Sequence, residues 1–326
     1  MASTRSNPAV SVRAEIISNF VGVDSSADVT ALDRSNAQSL DTCNNAYCDW
    51  RGQITRNPAA SLVIDETHPI THIRFYTSDD SSTNVVYAID NGNNVSIKSD
   101  AKHLLENAYS AESVVTSTVF NDDVHMTSQT GAVYAYNGLT YTKNSSASID
   151  LLSPKYIASV QRRLCVAGLI GKSTSIQLSR VDSSSVFPDD ESPNDENVLR
   201  AGEIDIGNLI GTADEIKGIS AFEQRSLAIF TRNKCLIYTI DPSIDQWIID
   251  DRANINIGTI SHNTIKQAGT DLLFCSQRGV HSIARSRDNG ILVFANVLSD
   301  SIDITYRSLV KQVKNKESIN AVWEPE

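Results

Sequence analysis

Strand–turn–strand modules that recur roughly 40–60 residues apart predict an all-β chain, a β-propeller of five or six blades. Val85-Val86-Tyr87-Ala88-Ile89-Asp90 opens one module before the turn Asn91-Gly92-Asn93-Asn94, and Val124-His125-Met126-Thr127 opens the next, returning through Val133-Tyr134-Ala135-Tyr136. Leu164-Cys165-Val166-Ala167-Gly168, Leu227-Ala228-Ile229-Phe230 and Leu272-Leu273-Phe274-Cys275 each open a further one. Two flanking features complete the expected plan: an extended N-terminal arm or docking segment over residues 1–60, and one C-terminal amphipathic helix near 300–315 within the propeller region 61–326.

Within the arm, Ser, Asn, Asp and Ala dominate and apolar runs are short. A helix is expected from Asp33, with Ala37, Leu40 and Asn44 on one side, followed by a strand–turn–strand over Cys48–Arg56 that pivots on Gly52. Asn57-Pro58 ends the segment, because a residue before proline is pushed to extended backbone. Ile73 and Phe75 then recur at period two, the mark of a strand with one buried face. A short helix is expected over Lys102–Tyr109. Asn137-Gly138 between Tyr136 and Leu139 predicts a two-residue hairpin, since both turn positions favour positive φ. Residues 183–197, with Asp189, Asp190, Glu191, Asp195, Glu196 and two prolines, read as a solvated acidic loop. Ile302, Tyr306, Leu309, Val310 and Val313 carry helical spacing, with Asp300 or Ser301 as N-cap and Lys311, Lys314 and Lys316 at the C-terminal end, where cations suit the helix dipole. Val322-Trp323-Glu324-Pro325-Glu326 looks like the start of a strand, and terminal strands commonly close a propeller by completing a shared blade.

The chain has 326 residues and a net charge of −11, from 39 acidic and 28 basic side chains. Such a surface disfavours tight binding to a phosphate backbone and is compatible with passive contact with DNA. No apolar run approaches the roughly 20 residues that a membrane helix needs, and Met1–Asn19 lacks the pattern of a signal peptide, so synthesis in a cytoplasm is expected. Five scattered cysteines, Cys43, Cys48, Cys165, Cys235 and Cys275, imply free thiols rather than a disulfide framework.

Several patterns imitate chemistry. Gly171-Lys172-Ser173 lacks the earlier glycine of a phosphate loop, with Val166 in its place, and lies between strands. The Asp189–Glu196 acids are out of register for a calcium loop. His68 and His72 are four apart, but Pro69 breaks any helix between them. His125 and His281 sit in strand runs, where ring packing or a satisfied hydrogen bond is expected. Asp122-Asp123 and Asp250-Asp251 read as turn residues. No catalytic, cofactor-binding or metal residue is therefore assigned, and the chain is expected not to be an enzyme.

Three blade stretches and an N-terminal segment carry a resemblance. Arg163-Leu164-Cys165-Val166-Ala167-Gly168 with Ser175-Ile176-Gln177-Leu178-Ser179 is similar to a stretch of phage tail propellers, and Glu223–Phe230 with Leu236-Ile237-Tyr238 resembles their following blade. Gly269–Ser276 with Arg278–Ile283 resembles the next, and Ala37–Leu40, Asn45-Ala46-Tyr47 and Gly52–Arg56 resemble their entry segment. The family is that of the tail nozzle, or tail-stabilisation, proteins of short-tailed bacteriophages. The resemblance spans about Arg34 to Trp323. Many relatives are longer and continue past the end of this chain, and Cys165 replaces a usual aromatic. It implies a structural virion protein in the phage tail, made in the host bacterial cytoplasm. Its expected partners are further copies of itself in a ring, usually of six, the adaptor above, tail fibres, and viral DNA passing through the channel without specific contact. A net negative wall is expected for that assembled channel. The alternatives are a propeller enzyme acting on glycans, which would need acids and arginines gathered in the central pocket, and a cellular interaction scaffold.

Overall fold

A computed structural model describes residues 20–23, 38–40, 46–48, 54–56, 67–77, 83–91, 94–99, 106–110, 113–128, 132–192, 198–211, 213–250, 255–283, 298–299 and 302–322. Two compact units divide the chain: Met1–Leu62 with Asp300–Tyr306, and Val63–Ser299 with Arg307–Glu326.

In the first unit, β1 (Phe20–Val23) pairs in parallel with β2 (Gln38–Leu40), and β3 (Ala46–Cys48) pairs antiparallel with β4 (Ile54–Arg56). The second strand expected within Cys48–Arg56 is present as Ile54–Arg56, but its partner is Ala46–Cys48, which ends where the expected first strand begins; residues 49–53, with the expected pivot at Gly52, lie outside the described residues. The helix expected from Asp33 is not: Gln38–Leu40 is extended and bonded to β1. Ladder pairing with a partner remote in sequence outweighs helical spacing in so short a segment. Ala37 and Asn44 lie outside the described residues.

The second unit is a five-bladed β-propeller. Its blades are antiparallel sheets, each built from one contiguous run of chain. The first contains β5 (Ile70–Thr77), β6 (Thr83–Asn91), β7 (Asn94–Ser99) and β8 (Glu106–Ser110). The second contains β9 (Thr116–Phe120), β10 (Asp123–Thr127), β11 (Tyr134–Tyr136) and β12 (Tyr141–Lys143). The third contains β13 (Tyr156–Val160), β14 (Arg163–Leu169), β15 (Lys172–Leu178) and β16 (Gly202–Asp205), and the fourth β17 (Ile216–Phe222), β18 (Ser226–Thr231), β19 (Cys235–Thr239) and β20 (Ile248–Ile249). The fifth contains β21 (Lys266–Ala268), β22 (Asp271–Cys275) and β23 (Val280–Ser282). No strand exchange between the first and last blades occurs among the described residues. Ala321 donates its N–H to the Asn263 carbonyl at 3.2 Å, and Trp323–Glu326 lie outside the described residues.

Every apolar run that opens a module in the sequence, at Val85, Val124, Leu164, Leu227 and Leu272, is the second strand of its blade, not the first. Second strands are covered by neighbouring blades on both faces, so they read as continuous apolar runs; β14 and β18 are buried at every position. The innermost strands lie along the axis and mix polar with apolar residues; of these only β5 was marked in the sequence, through Ile73 and Phe75.

The core is accordingly distributed between blades. Ala88, Ile97, Val124 and Met126 join the first and second, and Val133, Phe187, Leu164 and Val166 join the second and third. Cys165, Ile176, Ile219 and Leu227 join the third and fourth, and Phe230, Ile237, Leu272 and Phe274 the fourth and fifth. Burial raises the Cys165 thiol to about 12 and also raises that of Cys235; both are free thiols.

Three local expectations change. Glu106–Ser110 is a strand opposite β7, with Tyr109 buried, so the helix over Lys102–Tyr109 does not form there; residues 101–105 lie outside the described residues. The Asn137-Gly138 hairpin exists, but its loop spans Asn137–Thr140, with Asn137 Oδ1 accepting the N–H groups of Leu139 and Thr140 at 2.9 and 2.8 Å. Only Gly138 of the pair has positive φ, at 88°. The acidic stretch after Ser183 is not merely solvated: Phe187 is fully buried, and Asp190 accepts hydrogen bonds from the Ser146 and Ser148 hydroxyls at 2.6 and 3.0 Å. Asp190 thereby braces the N-terminus of helix α1 (Ala147–Leu152), whose N-cap is Ser146. A single helical turn, α2, follows at Gly207–Ile210, and Asp195 and Glu196 lie outside the described residues.

The C-terminal helix is present as α3 (Asp303–Gln312). Of its described apolar residues only Val310 is buried, while Ile304 and Leu309 are exposed. Asp300 and Ser301 lie outside the described residues.

Gly168 shows how tightly β14 is held. Its φ of +68° sits at a register shift between Ala167 and Leu169, and a Cβ there would come within 2.8 Å of Lys155 Cβ and 3.0 Å of the Tyr156 ring. Gly168→Ala is expected to cost about 1–3 kcal/mol through combined backbone strain and overpacking. Urea unfolding followed by far-UV circular dichroism would measure that loss.

Candidate functional site

The innermost strands converge on an axial cavity of about 290 Å³. β5 contributes His72, Ile73 and Arg74, and β9 contributes Ser117 and Thr118. β13 adds Ile157, Ala158 and Ser159, and β17 adds Ile219, Ser220 and Ala221. The approach to β21 supplies His262, Asn263, Ile265, Lys266 and Gln267. All five blades therefore meet there.

Along β5 the alternation is inverted relative to a conventional core strand. Ile73 and Phe75 are 48% and 72% exposed, while His72 and Arg74 are half-buried and Tyr76 is buried. The period-two reading was correct, but the apolar face is the exposed one. His72 and Arg74 thus reach the axis from alternate positions of one strand.

Hydrogen bonds lace the wall. His72 Nε2 lies 2.8 Å from Ser117 Oγ, Thr118 Oγ1 donates to Ser159 Oγ at 3.2 Å, and Ser159 Oγ donates to the Val119 carbonyl at 3.0 Å. His262 stacks on Tyr156, and its Nδ1 accepts the Ile219 N–H at 3.3 Å, which leaves the neutral ring's proton on Nε2. Asn263 Nδ2 donates to the Val115 carbonyl at 3.4 Å, reaching from the fifth blade to the second.

The lining is basic, opposite in sign to the chain's net charge of −11. Burial lowers His72 to about 4, with further lowering from Lys266 and then Arg74. Burial also lowers His262 to about 3, assisted by Lys266 and His72. Lys266 is lowered first by burial and then by Arg74. The four basic groups therefore sense one another, and no Asp or Glu is among the described lining residues. The carboxylate pair that a glycan-cleaving enzyme would need in this pocket is not among those residues.

Apart from His72, which lines the cavity, the patterns that imitate chemistry fall elsewhere. Lys172 begins β15 after the hairpin turn at Gly171 and pairs with Glu203 at 3.0 Å. His125 is buried edge-on to Phe120, and His281 stacks on Phe274 with Nε2 2.8 Å from Ser276 Oγ. No group of His, Cys, Asp and Glu suited to a metal ion occurs among the described residues. None of the described helices is long and apolar enough to cross a membrane.

Sequence reasoning did not single out Arg74, His262 or Lys266. The one available signal was the polar–apolar alternation His72-Ile73-Arg74. Nothing local announces that Lys266 faces a strand almost 200 residues earlier.

Neither a family model nor a curated protein matches the chain. Solved structures resemble it at low identity. The WD40 domain of Neurospora crassa Pan2 is 10% identical, with a TM-score of 0.40, over 67% of this chain and 64% of that one. Kluyveromyces lactis Hsv2 is 10% identical, with a TM-score of 0.38, over 74% and 69%. The computationally designed Ika8 protein is 12% identical, with a TM-score of 0.40, over 74% and 68%. The propeller assignment rests on the five sheets and their shared axis, not on these similarities.

Proposed function

We propose that this chain is a structural virion protein of a tailed bacteriophage, a subunit of the tail nozzle ring below the portal and adaptor. The supporting observation is the fold. The three matched runs, Leu164–Gly168, Leu227–Phe230 and Leu272–Cys275, are the second strands of three successive blades, as they would be in any propeller. The resemblance adds their order and spacing along the chain to that common fold. A stiff propeller whose blades pack through extensive apolar cores suits a load-bearing ring around a DNA channel. In this reading the protein acts mechanically: it extends the channel, retains DNA, and meets copies of itself, the adaptor and tail fibres.

Inspection of the neighbouring genes, and co-expression with any portal and adaptor proteins found there followed by electron microscopy, tests the reading. The expected result is a ring of copies, six by analogy with the family, seated on the adaptor. A strict monomer that never joins portal–adaptor complexes, or a gene with no portal, terminase or adaptor neighbours, would overturn it and favour a cellular scaffold.

A further inference from the structure

We propose that the axial cavity binds a small oxyanion, a phosphate or sulfate group, clamped between Arg74 of the first blade and Lys266 of the fifth. Two cations line one half-open cavity. Neither has a carboxylate partner among the described residues. Like charges held together in a partly buried cavity repel one another, and an anion between them removes the repulsion while replacing lost hydration. Arg74 offers a planar fork that matches two oxygens, and Lys266 offers a compact charge. The Gln267 amide lines the same wall with one N–H given to the Gly269 carbonyl at 3.3 Å and one left to offer, while the Ser117 hydroxyl is paired with His72 Nε2 at 2.8 Å and the Ser220 hydroxyl donates to the Ala221 carbonyl at 3.1 Å. A volume of about 290 Å³ accommodates a tetrahedral oxyanion with accompanying water.

The location gives the anion a structural task. Apolar clusters join the first blade to the second, the second to the third, the third to the fourth and the fourth to the fifth. Among the described residues no such cluster joins the fifth to the first, and no strand is exchanged between them. Arg74 and Lys266 stand on the two sides of that seam. A bound oxyanion would bridge them and close the ring, doing with charge what other propellers do with a shared blade.

Thermal unfolding and titration calorimetry on the full chain test this, comparing sodium phosphate, sulfate and chloride at matched ionic strength and pH 7. Adenosine monophosphate serves as a second arm, to distinguish a free oxyanion from a phosphate carried on a nucleotide. The expected result is a saturable rise in Tm with phosphate or sulfate, on the order of 5 °C, and none with chloride. Lys266→Met and Arg74→Gln should each weaken phosphate binding at least tenfold. Their anion-free Tm should be no lower than that of the unaltered chain, because each substitution relieves repulsion. Hydrogen exchange in β5 and β21 should slow when phosphate is added. Equal Tm in phosphate and chloride would overturn the proposal, as would unchanged phosphate affinity in both variants. Binding of adenosine monophosphate without binding of inorganic phosphate would overturn the free-anion form.

Discussion

Arg163→Ala is expected to destabilise the propeller by about 3–5 kcal/mol. The Arg163 side chain is fully buried at the start of β14. Its Nη1 donates to the carbonyls of Ser179 and Arg200, both at 2.7 Å, and its Nη2 donates to the Pro242 carbonyl at 2.5 Å. The guanidinium also lies over the Trp247 ring, 5.3 Å from its centroid. One cation thus ties the third blade to the Pro242–Trp247 segment of the fourth and satisfies three acceptors together. Burial lowers its pKa, but an arginine remains charged at any working pH. Alanine would strip each carbonyl of its donor, at about 1–3 kcal/mol apiece where water cannot enter, and would leave a cavity beside Trp247. Two of the three hydrogen bonds are only partly buried, so water offsets some of that cost and the total stays near the stated range. Arg163→Lys should recover less than half of it, because a point-like ammonium cannot serve diverging acceptors and stack at the same time. Urea denaturation would read both variants. A loss below about 1 kcal/mol for Arg163→Ala would mean that the guanidinium is not a structural tie.

Acidification from pH 6.5 to about 4.5 is expected to remove several kcal/mol of stability, most of it above pH 5, where the histidines of the unfolded chain protonate and most carboxylates are still ionised. His72 and His125 are lowered to about 4 and His262 to about 3, in each case chiefly by burial. In the unfolded chain these rings titrate near 6.5. Between the two values the unfolded state binds protons that the folded state refuses, so stability falls with falling pH, levelling off below about pH 4 for His72 and His125 and below about pH 3 for His262. His125 illustrates the scale, being fully buried against Phe120. At pH 5 its share is about 2 kcal/mol, from about 1.4 kcal/mol per pKa unit. Carboxylates act in a lower window: Glu215, hydrogen-bonded to the Lys217 ammonium, is held below its usual range, so its contribution is present above about 4.5 and lost below it. His125→Phe keeps the ring contact with Phe120 and removes the titration. It should raise stability at pH 5 by about 2 kcal/mol and change little at pH 8. A series of urea curves from pH 4 to 8 would show this, and parallel curves for the two proteins across that range would refute the assignment.

How much of the molecule could be read in advance depends on how locally each feature is specified. The second strands of the five blades were legible because burial on both faces demands unbroken apolar runs. The strand Ile54–Arg56 and the C-terminal helix were legible for similar reasons, through short-range pairing and 3.6-residue spacing, although the first strand of that pair lies earlier than expected, at Ala46–Cys48. Leu40 and Tyr109 were misread because segments of a few residues take the structure of their partner strand, whatever their own spacing favours. At Asn137 the turn was found but its form was not, since the side chain itself accepts the turn's N–H groups.

The axial cavity was not legible. Its lining comes from short polar stretches between 72 and 267, each unremarkable where it stands. Ile73 and Phe75 declared a strand, but only the curvature of the ring set which face of that strand would be exposed. Repetition and apolar period are carried by neighbours along the chain, so the order of residues alone specified an all-β chain of repeated modules. Blade number, the inward turn of His72 and Arg74, and the meeting of Arg74 with Lys266 depend on where the ring closes, and closure joins residues almost 200 positions apart, a distance over which no local preference acts.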